Sequence, residues 1–228
     1  MRSSAPILET LANGVRLVAL PLPAATTASV AVFVKSGSAH EPRALNGISH
    51  VVEHMLFKGT ATRDARRINL DAERLGAEVN AHTDRDHTAL YMRGLPEHAG
   101  DFARMLADLV AAPSFPADEL ERERQVLLQE LAEDEDDPVS SAYKLFDAAC
   151  YGLHPAALPV IGTRARVERL RRDELARYVQ QQYRGDQEGR AVRGHDVTPS
   201  GCLPSIAWYF DGHFTSSWLA SKWSPWYW

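Results

Sequence analysis

The sequence predicts an α+β fold, in which helices pack on one face of a largely antiparallel sheet. Strand-like and helical segments come in blocks rather than in strict alternation, which favours antiparallel neighbours over parallel crossover units. Two short polar connections, Asn13-Gly14 and Asp84-Arg85-Asp86-His87, each join two strand-like runs as a hairpin does. The segments between and after them space their apolar residues three and four apart, the mark of helices with one buried face.

Residues 7–20 alternate around Asn13-Gly14, a dipeptide that accepts the positive φ angles of a tight turn, so a two-stranded start is expected. Residues 29–35, SVAVFVK, read as a third strand, rich in valine. Gly37 and Pro42 break that pattern, and helical spacing resumes over residues 45–57 until Lys58-Gly59-Thr60 ends it. Residues 63–75 form a second amphipathic helix, and residues 78–83 and 88–93 are the strands of the second hairpin. Pro96 opens a helix that runs to Ala111. Pro113 and Pro116 lead to Asp118, the expected N-cap of a long helix ending near Asp134. Further helices are expected over residues 139–150 and 173–183.

After Tyr183 the character changes. All five tryptophans fall between Trp208 and Trp228, and residues 185–205 show neither helical nor strand periodicity. The expected division is therefore an α+β domain over residues 1–184 and a divergent tryptophan-rich tail over residues 185–228 that stands outside it.

A chain of 228 residues with 45% hydrophobic residues can bury a sizeable core as one domain with an appendage. A net charge of −5 without a basic stripe argues against nucleic acid as a partner and makes basic peptides electrostatically easier ones. Cys150 and Cys202 lack CxxC spacing, so neither a disulfide framework nor a thiolate metal site is indicated. No run approaches a membrane span and the first residues lack an apolar signal core, so a cytoplasmic protein without membrane contact is expected.

Residues 50–54 read His-Val-Val-Glu-His. On a helix, His50 and His54 lie about 40° apart on one face, with Glu53 about 100° from His54. Two imidazoles one turn apart can bind a single metal, and zinc suits neutral imidazole with one carboxylate and a position left for water. A glutamate beside that water can take its proton, and H-x-x-E-H is the inverted zinc-peptidase pattern. The same residues also fit as polar positions on a half-buried helix.

The surrounding blocks separate these readings. Gly47-Ile48-Ser49-His50-Val51-Val52-Glu53-His54-Met55-Leu56-Phe57-Lys58-Gly59-Thr60, then Gly76-Ala77-Glu78-Val79-Asn80-Ala81-His82-Thr83, then Glu121-Arg122-Glu123-Arg124 through Glu130 occur in this order. With Tyr151-Gly152-Leu153-His154-Pro155 and Gly162-Thr163, they resemble the zinc metallopeptidases that include pitrilysin, insulin-degrading enzyme and the β subunit of mitochondrial processing peptidase, over residues 7–184. The likeness is to the bacterial processing-peptidase-like branch and to its N-terminal half.

The resemblance implies that His50, His54 and Glu130 bind one zinc per chain, that Glu53 is the general base, and that Glu123 supports the site from behind the ligands. It also implies that the strand carrying Asn80 and Ala81 receives an extended peptide or unfolded protein substrate by strand addition. His82 and His87 fit more simply as exposed hairpin histidines. The acidic run Glu133-Asp134-Glu135-Asp136-Asp137 would attract basic peptides, though such runs are commonly solvated helix ends.

Family architecture implies two similar halves closing on the substrate, in one chain or shared between homo- or hetero-oligomeric subunits, and only the first half is recognisable here. A strand should return to the sheet soon after Tyr183, and Gly185-Asp186-Gln187-Glu188-Gly189-Arg190 does not supply one, so the tail reads as a replaced or frame-shifted end. The implied activity is that of a zinc endopeptidase, completed by a second half or partner. The alternative is a non-catalytic remnant or interaction subunit.

Overall fold

The computed structural model describes residues 5–22, 24–184 and 206–212. Its sheet has six strands: β1 (Ile7–Thr10), β2 (Arg16–Pro21), β3 (Ala28–Val34), β4 (Glu78–Thr83), β5 (Thr88–Gly94) and β6 (Ile206–Gly212). The spatial order is β1-β2-β6-β3-β5-β4, and every pairing is antiparallel except β2 with β6. The helices are α1 (Ile48–Leu56), α2 (Ala65–Arg74), α3 (Ala99–Ala111), α4 (Ala117–Asp136), α5 (Pro138–Tyr151), the short α6 (Arg164–Val167) and α7 (Arg172–Gln182). The α+β expectation and both hairpins hold.

The expectation that the whole tail stands apart from the fold is corrected for residues 206–212. As β6, this segment lies between β2 and β3, with Val18 opposite Tyr209 and Val32 opposite Trp208. The sequence Ile-Ala-Trp-Tyr-Phe suits a pleated surface. Its apolar residues come in one unbroken run, Ile206 to Phe210, so it lacks the period-two alternation by which a half-buried strand is read. The remainder of residues 185–228, including Gly185-Asp186-Gln187-Glu188-Gly189-Arg190, lies outside the described residues.

A second correction concerns α4. Asp118 does not cap it: the helix begins at Ala117 behind Pro116, and Asp118 and Glu119 lie in the first turn, where carboxylates favour the positive end of the helix dipole. The acidic run at its other end has ordinary structural uses. Asp137 caps α5 by accepting from the Val139 and Ser140 N–H groups, and Asp134 pairs with Lys144.

The core lies where the helices meet β3 and β5. Val30, Val32 and Val34 alternate along β3 and are fully buried, as are Leu90 and Met92 on β5 and Phe102, Leu106 and Leu109 on α3. On α1, Ile48, Val51, Val52, Met55 and Leu56 are buried at helical spacing, which leaves His50, Glu53 and His54 on the remaining face. The buried residues of α4 are Leu120, Glu123, Arg124, Leu127 and Leu131. Two charged residues thus interrupt an otherwise apolar stripe, and both are bonded. Among the described residues no helix is long and apolar enough to cross a membrane.

Candidate metal and catalytic site

The start of α1 is held unusually tightly. Its N-cap, Gly47, has no side chain to cap with and sits at φ 93°, so Glu41 supplies the missing acceptor from outside the helix. The buried Glu41 carboxylate accepts from the Gly47 N–H at 2.7 Å, the Ser49 N–H at 2.8 Å and the Asn46 amide at 3.2 Å. Burial pushes this carboxyl above its ordinary range, with those hydrogen bonds pulling it back. From α7, the Tyr178 hydroxyl lies 2.8 Å from both the Ser36 and Ser49 hydroxyls, and burial pushes its pKa up to about 12. The backbone next to His50 is therefore fixed from two sides.

One and two turns along, α1 faces α4 with its polar side. His54 Nε2 lies 3.6 Å from Glu130 Oε2, and His50 Nε2 lies 3.9 Å from the same oxygen. One donor atom from each of His50, His54 and Glu130 falls within 4.8 Å of the others. Tetrahedral zinc with bonds of about 2.0–2.1 Å sets its ligand atoms about 3.3–3.4 Å apart. Small side-chain rotations would close the difference, so nitrogen and oxygen donors here fit a zinc-sized cation.

The protonation chemistry agrees with that fit. Burial, and next the neighbouring His54, push the pKa of His50 down to about 4, so its imidazole is neutral at physiological pH as ligation requires. His54 Nδ1 lies 2.9 Å from Glu123 Oε1, an arrangement in which Nδ1–H donates to the carboxylate and Nε2 turns its lone pair toward Glu130. Burial alone would raise Glu123, but hydrogen bonds from Lys58 and His54 hold it below the usual carboxylate range. His50 lacks such support: its Nδ1 is buried without a hydrogen-bond partner among the described residues.

Glu53 lies beside this group. Burial raises its carboxyl above the ordinary value, while a hydrogen bond from Thr83 and the charges of His54 and His82 act the other way. Its Oε2 is buried and unpartnered among the described residues. A buried carboxylate at a raised pKa with one oxygen unengaged has the properties of a proton acceptor.

Among the described residues, the strand that carries Asn80 and Ala81 is the last in the sheet, paired on one side only, with β5. It packs against α1, so this free edge runs beside the site. The Asn80 side-chain oxygen accepts from the Ala81 N–H at 2.8 Å, a contact that an incoming strand using that N–H has to displace. His82 and His87 are hairpin residues as expected, with Nε2 atoms 3.3 Å apart and the His87 Nδ1 2.6 Å from Asp86.

Sequence reasoning assigned no part to Lys58, Thr83 or Glu41. Lys58 and Thr83 stand inside the quoted blocks and were open to assignment, because Lys58 follows His54 by one helical turn and Thr83 ends the edge strand. Nothing in the sequence marks Glu41, whose role depends on a fold-back of the chain onto the helix start.

Known proteins place the chain. It is 36% identical over 186 residues to an uncharacterized zinc protease of Bacillus subtilis, covering 82% of this chain and 46% of that protein. It is 34% identical over 177 residues to a protein of Schizosaccharomyces pombe named as a probable mitochondrial-processing peptidase subunit beta, covering 78% and 39%. It thus spans less than half the length of these relatives. Among solved structures, the fold matches a protease from Helicobacter pylori at 22% identity with a TM-score of 0.84, covering 97% of this chain and 49% of that one. It also matches an M16 peptidase inactive domain from Pseudomonas fluorescens at 19% identity with a TM-score of 0.79, covering 96% and 49%. The model of the insulinase family, peptidase family M16, matches residues 17–164, a span that contains His50, Glu53, His54, Glu123 and Glu130, and the chain belongs to that family.

Proposed function

We propose that the chain is the zinc-binding half of an endopeptidase that hydrolyses peptides or unfolded segments laid in extended form along the free edge of β4. The observation that carries this reading is the convergence of His50, His54 and Glu130 donor atoms within 4.8 Å, with the buried carboxylate of Glu53, raised in pKa and with Oε2 unengaged, beside them. His50, His54 and Glu130 would hold the metal. Bound zinc polarises a carbonyl and acidifies water. Glu53 takes the proton of the attacking water on its unengaged oxygen and passes it to the leaving amine. Glu123 orients His54, and the edge of β4 aligns the substrate backbone with little demand on sequence. The cytoplasmic setting expected from the sequence is carried into the proposal.

A second reading has one observation in its favour: the fold also matches a domain described as an M16 peptidase inactive domain. The chain would then be a non-catalytic interaction subunit or remnant, or an incomplete half that needs a homo- or hetero-oligomeric partner. Zinc stoichiometry, together with chelator-sensitive cleavage of a mixed peptide library by this chain alone, separates the readings. One zinc with cleavage supports the enzyme, one zinc without cleavage supports an incomplete half, and no zinc refutes the metal site. Glu53→Gln should keep the metal and lose hydrolysis; cleavage at the parent rate would remove Glu53 from the mechanism.

A further inference from the structure

Just past the end of α1, the Lys58 Nζ lies 2.6 Å from Glu123 Oε2, while Oε1 of the same carboxylate lies 2.9 Å from His54 Nδ1. The Glu123 side chain is 9% exposed and that of Lys58 27%, so solvent screens the pair less than it would a surface ion pair. A glutamate side chain has three rotatable bonds, and a single contact leaves its carboxylate free to turn. Two contacts from opposite sides do not.

We propose that Lys58 is a positioning residue for the metal site, acting through Glu123. This inference rests on the zinc-peptidase reading. With Oε2 anchored on the Lys58 ammonium, Oε1 stays aimed at the His54 Nδ1–H, and the Nε2 lone pair stays turned toward Glu130. The anchor also sets one helix against the other. His54 and Lys58 belong to α1 and the residues directly after it, whereas Glu123 and Glu130 lie seven residues apart on α4. Seven residues are about two helical turns, which returns Glu130 to within about 20° of the direction of Glu123. Fixing Glu123 therefore fixes the rotation of α4 that presents Glu130 to both histidines. Lys58 is not free to serve as a substrate anchor, since its charge is already engaged by Glu123.

The test uses the full chain and its Lys58→Arg, Lys58→Met and Lys58→Gln variants. Zinc affinity is measured by competition with a chromophoric chelator, and the His54 ring protonation state is read from proton–nitrogen spectra of the metal-free protein. Loss of outer partners of this kind typically weakens metal binding about 10–100-fold. About tenfold weaker zinc binding is expected in Lys58→Met, together with loss of the Nδ1–H form of His54 and recovery of both in Lys58→Arg. Lys58→Gln, which keeps a donor without the charge, carries the comparison if the methionine variant does not fold. An unchanged zinc affinity, or a His54 ring that stays in the Nδ1–H form without the lysine charge, overturns the proposal. If the parent chain binds no zinc, the zinc reading fails separately, and the His54 ring spectra still decide whether Lys58 orients it.

Discussion

Replacing Gly47 by alanine tests whether the start of α1 is held by backbone contact. Gly47 sits at φ 93° and ψ −4°, a left-handed conformation that costs a residue with a Cβ about 1–2 kcal/mol. A Cβ at this position would lie 2.7 Å from the Gly162 Cα and 3.0 Å from the Ile161 carbonyl oxygen. Both neighbours are backbone and cannot swing aside, so overpacking adds about 1–3 kcal/mol. The sum, about 2–5 kcal/mol, is a large share of the 5–15 kcal/mol that typically holds a domain together. For a chain of this size it corresponds to a fall in Tm of about 4–20 °C. Gly76→Ala is the internal control, because Gly76 also has a positive φ, 58°, but nothing lies within 4 Å of its added Cβ. Urea unfolding of both variants in chelator should show Gly47→Ala losing at least 1 kcal/mol more than Gly76→Ala. Equal losses would refute the claim that the Gly47 and Gly162 approach fixes the helix. Zinc affinity should fall with Gly47→Ala and hold with Gly76→Ala, since only the first displaces the turn that precedes His50.

Arg124→Lys should destabilise the chain by about 1–3 kcal/mol, because one ammonium cannot replace a fork that donates to the Val167 and Leu170 carbonyls and to Glu121; an unchanged urea midpoint would show that the fork is dispensable. His40 supplies a pH dependence. Burial, then Lys35, lowers its pKa below 6.5 against the opposing charge of Asp86, and its Nδ1 must be unprotonated to accept the Gly37 N–H at 3.3 Å. The unfolded chain binds this proton more readily, so the contribution of His40 to stability is complete above pH 6.5 and is lost as pH falls through the lowered folded value. His40→Asn should flatten the stability profile below pH 6.5, and parallel profiles for parent and variant would contradict the assignment.

The parts of this molecule that were legible in its sequence are those set by local periodicity. Alternation around Asn13-Gly14 marked β1 and β2, strand-like runs marked β3, β4 and β5, and helical spacing with proline and cap signals marked α1 to α5 and α7. β6 escaped because Ile206 to Phe210 is an unbroken apolar run without period-two alternation, in a tail whose preceding residues carry no periodicity. The candidate site divides along the same line. His50, Glu53 and His54 share one helix, so their mutual geometry follows from 3.6 residues per turn. Glu130 and Glu123 belong to another helix, and no local rule says which of the glutamates on α4 meets a histidine. The resemblance to a known family named them, and burial shows the physical reason for one. Glu123 occupies a core position of α4, where an unpaired carboxylate would be costly, and it is satisfied by Lys58 and His54. Glu130, one residue before the buried Leu131, stands at the border of that apolar stripe and retains enough exposure to meet a ligand. A charged residue placed where the spacing demands a leucine is therefore itself a signal. On α4 the signal occurs at Glu123 and at Arg124; the first is bonded to a proposed metal ligand, and the second ties the helix to the segment around α6.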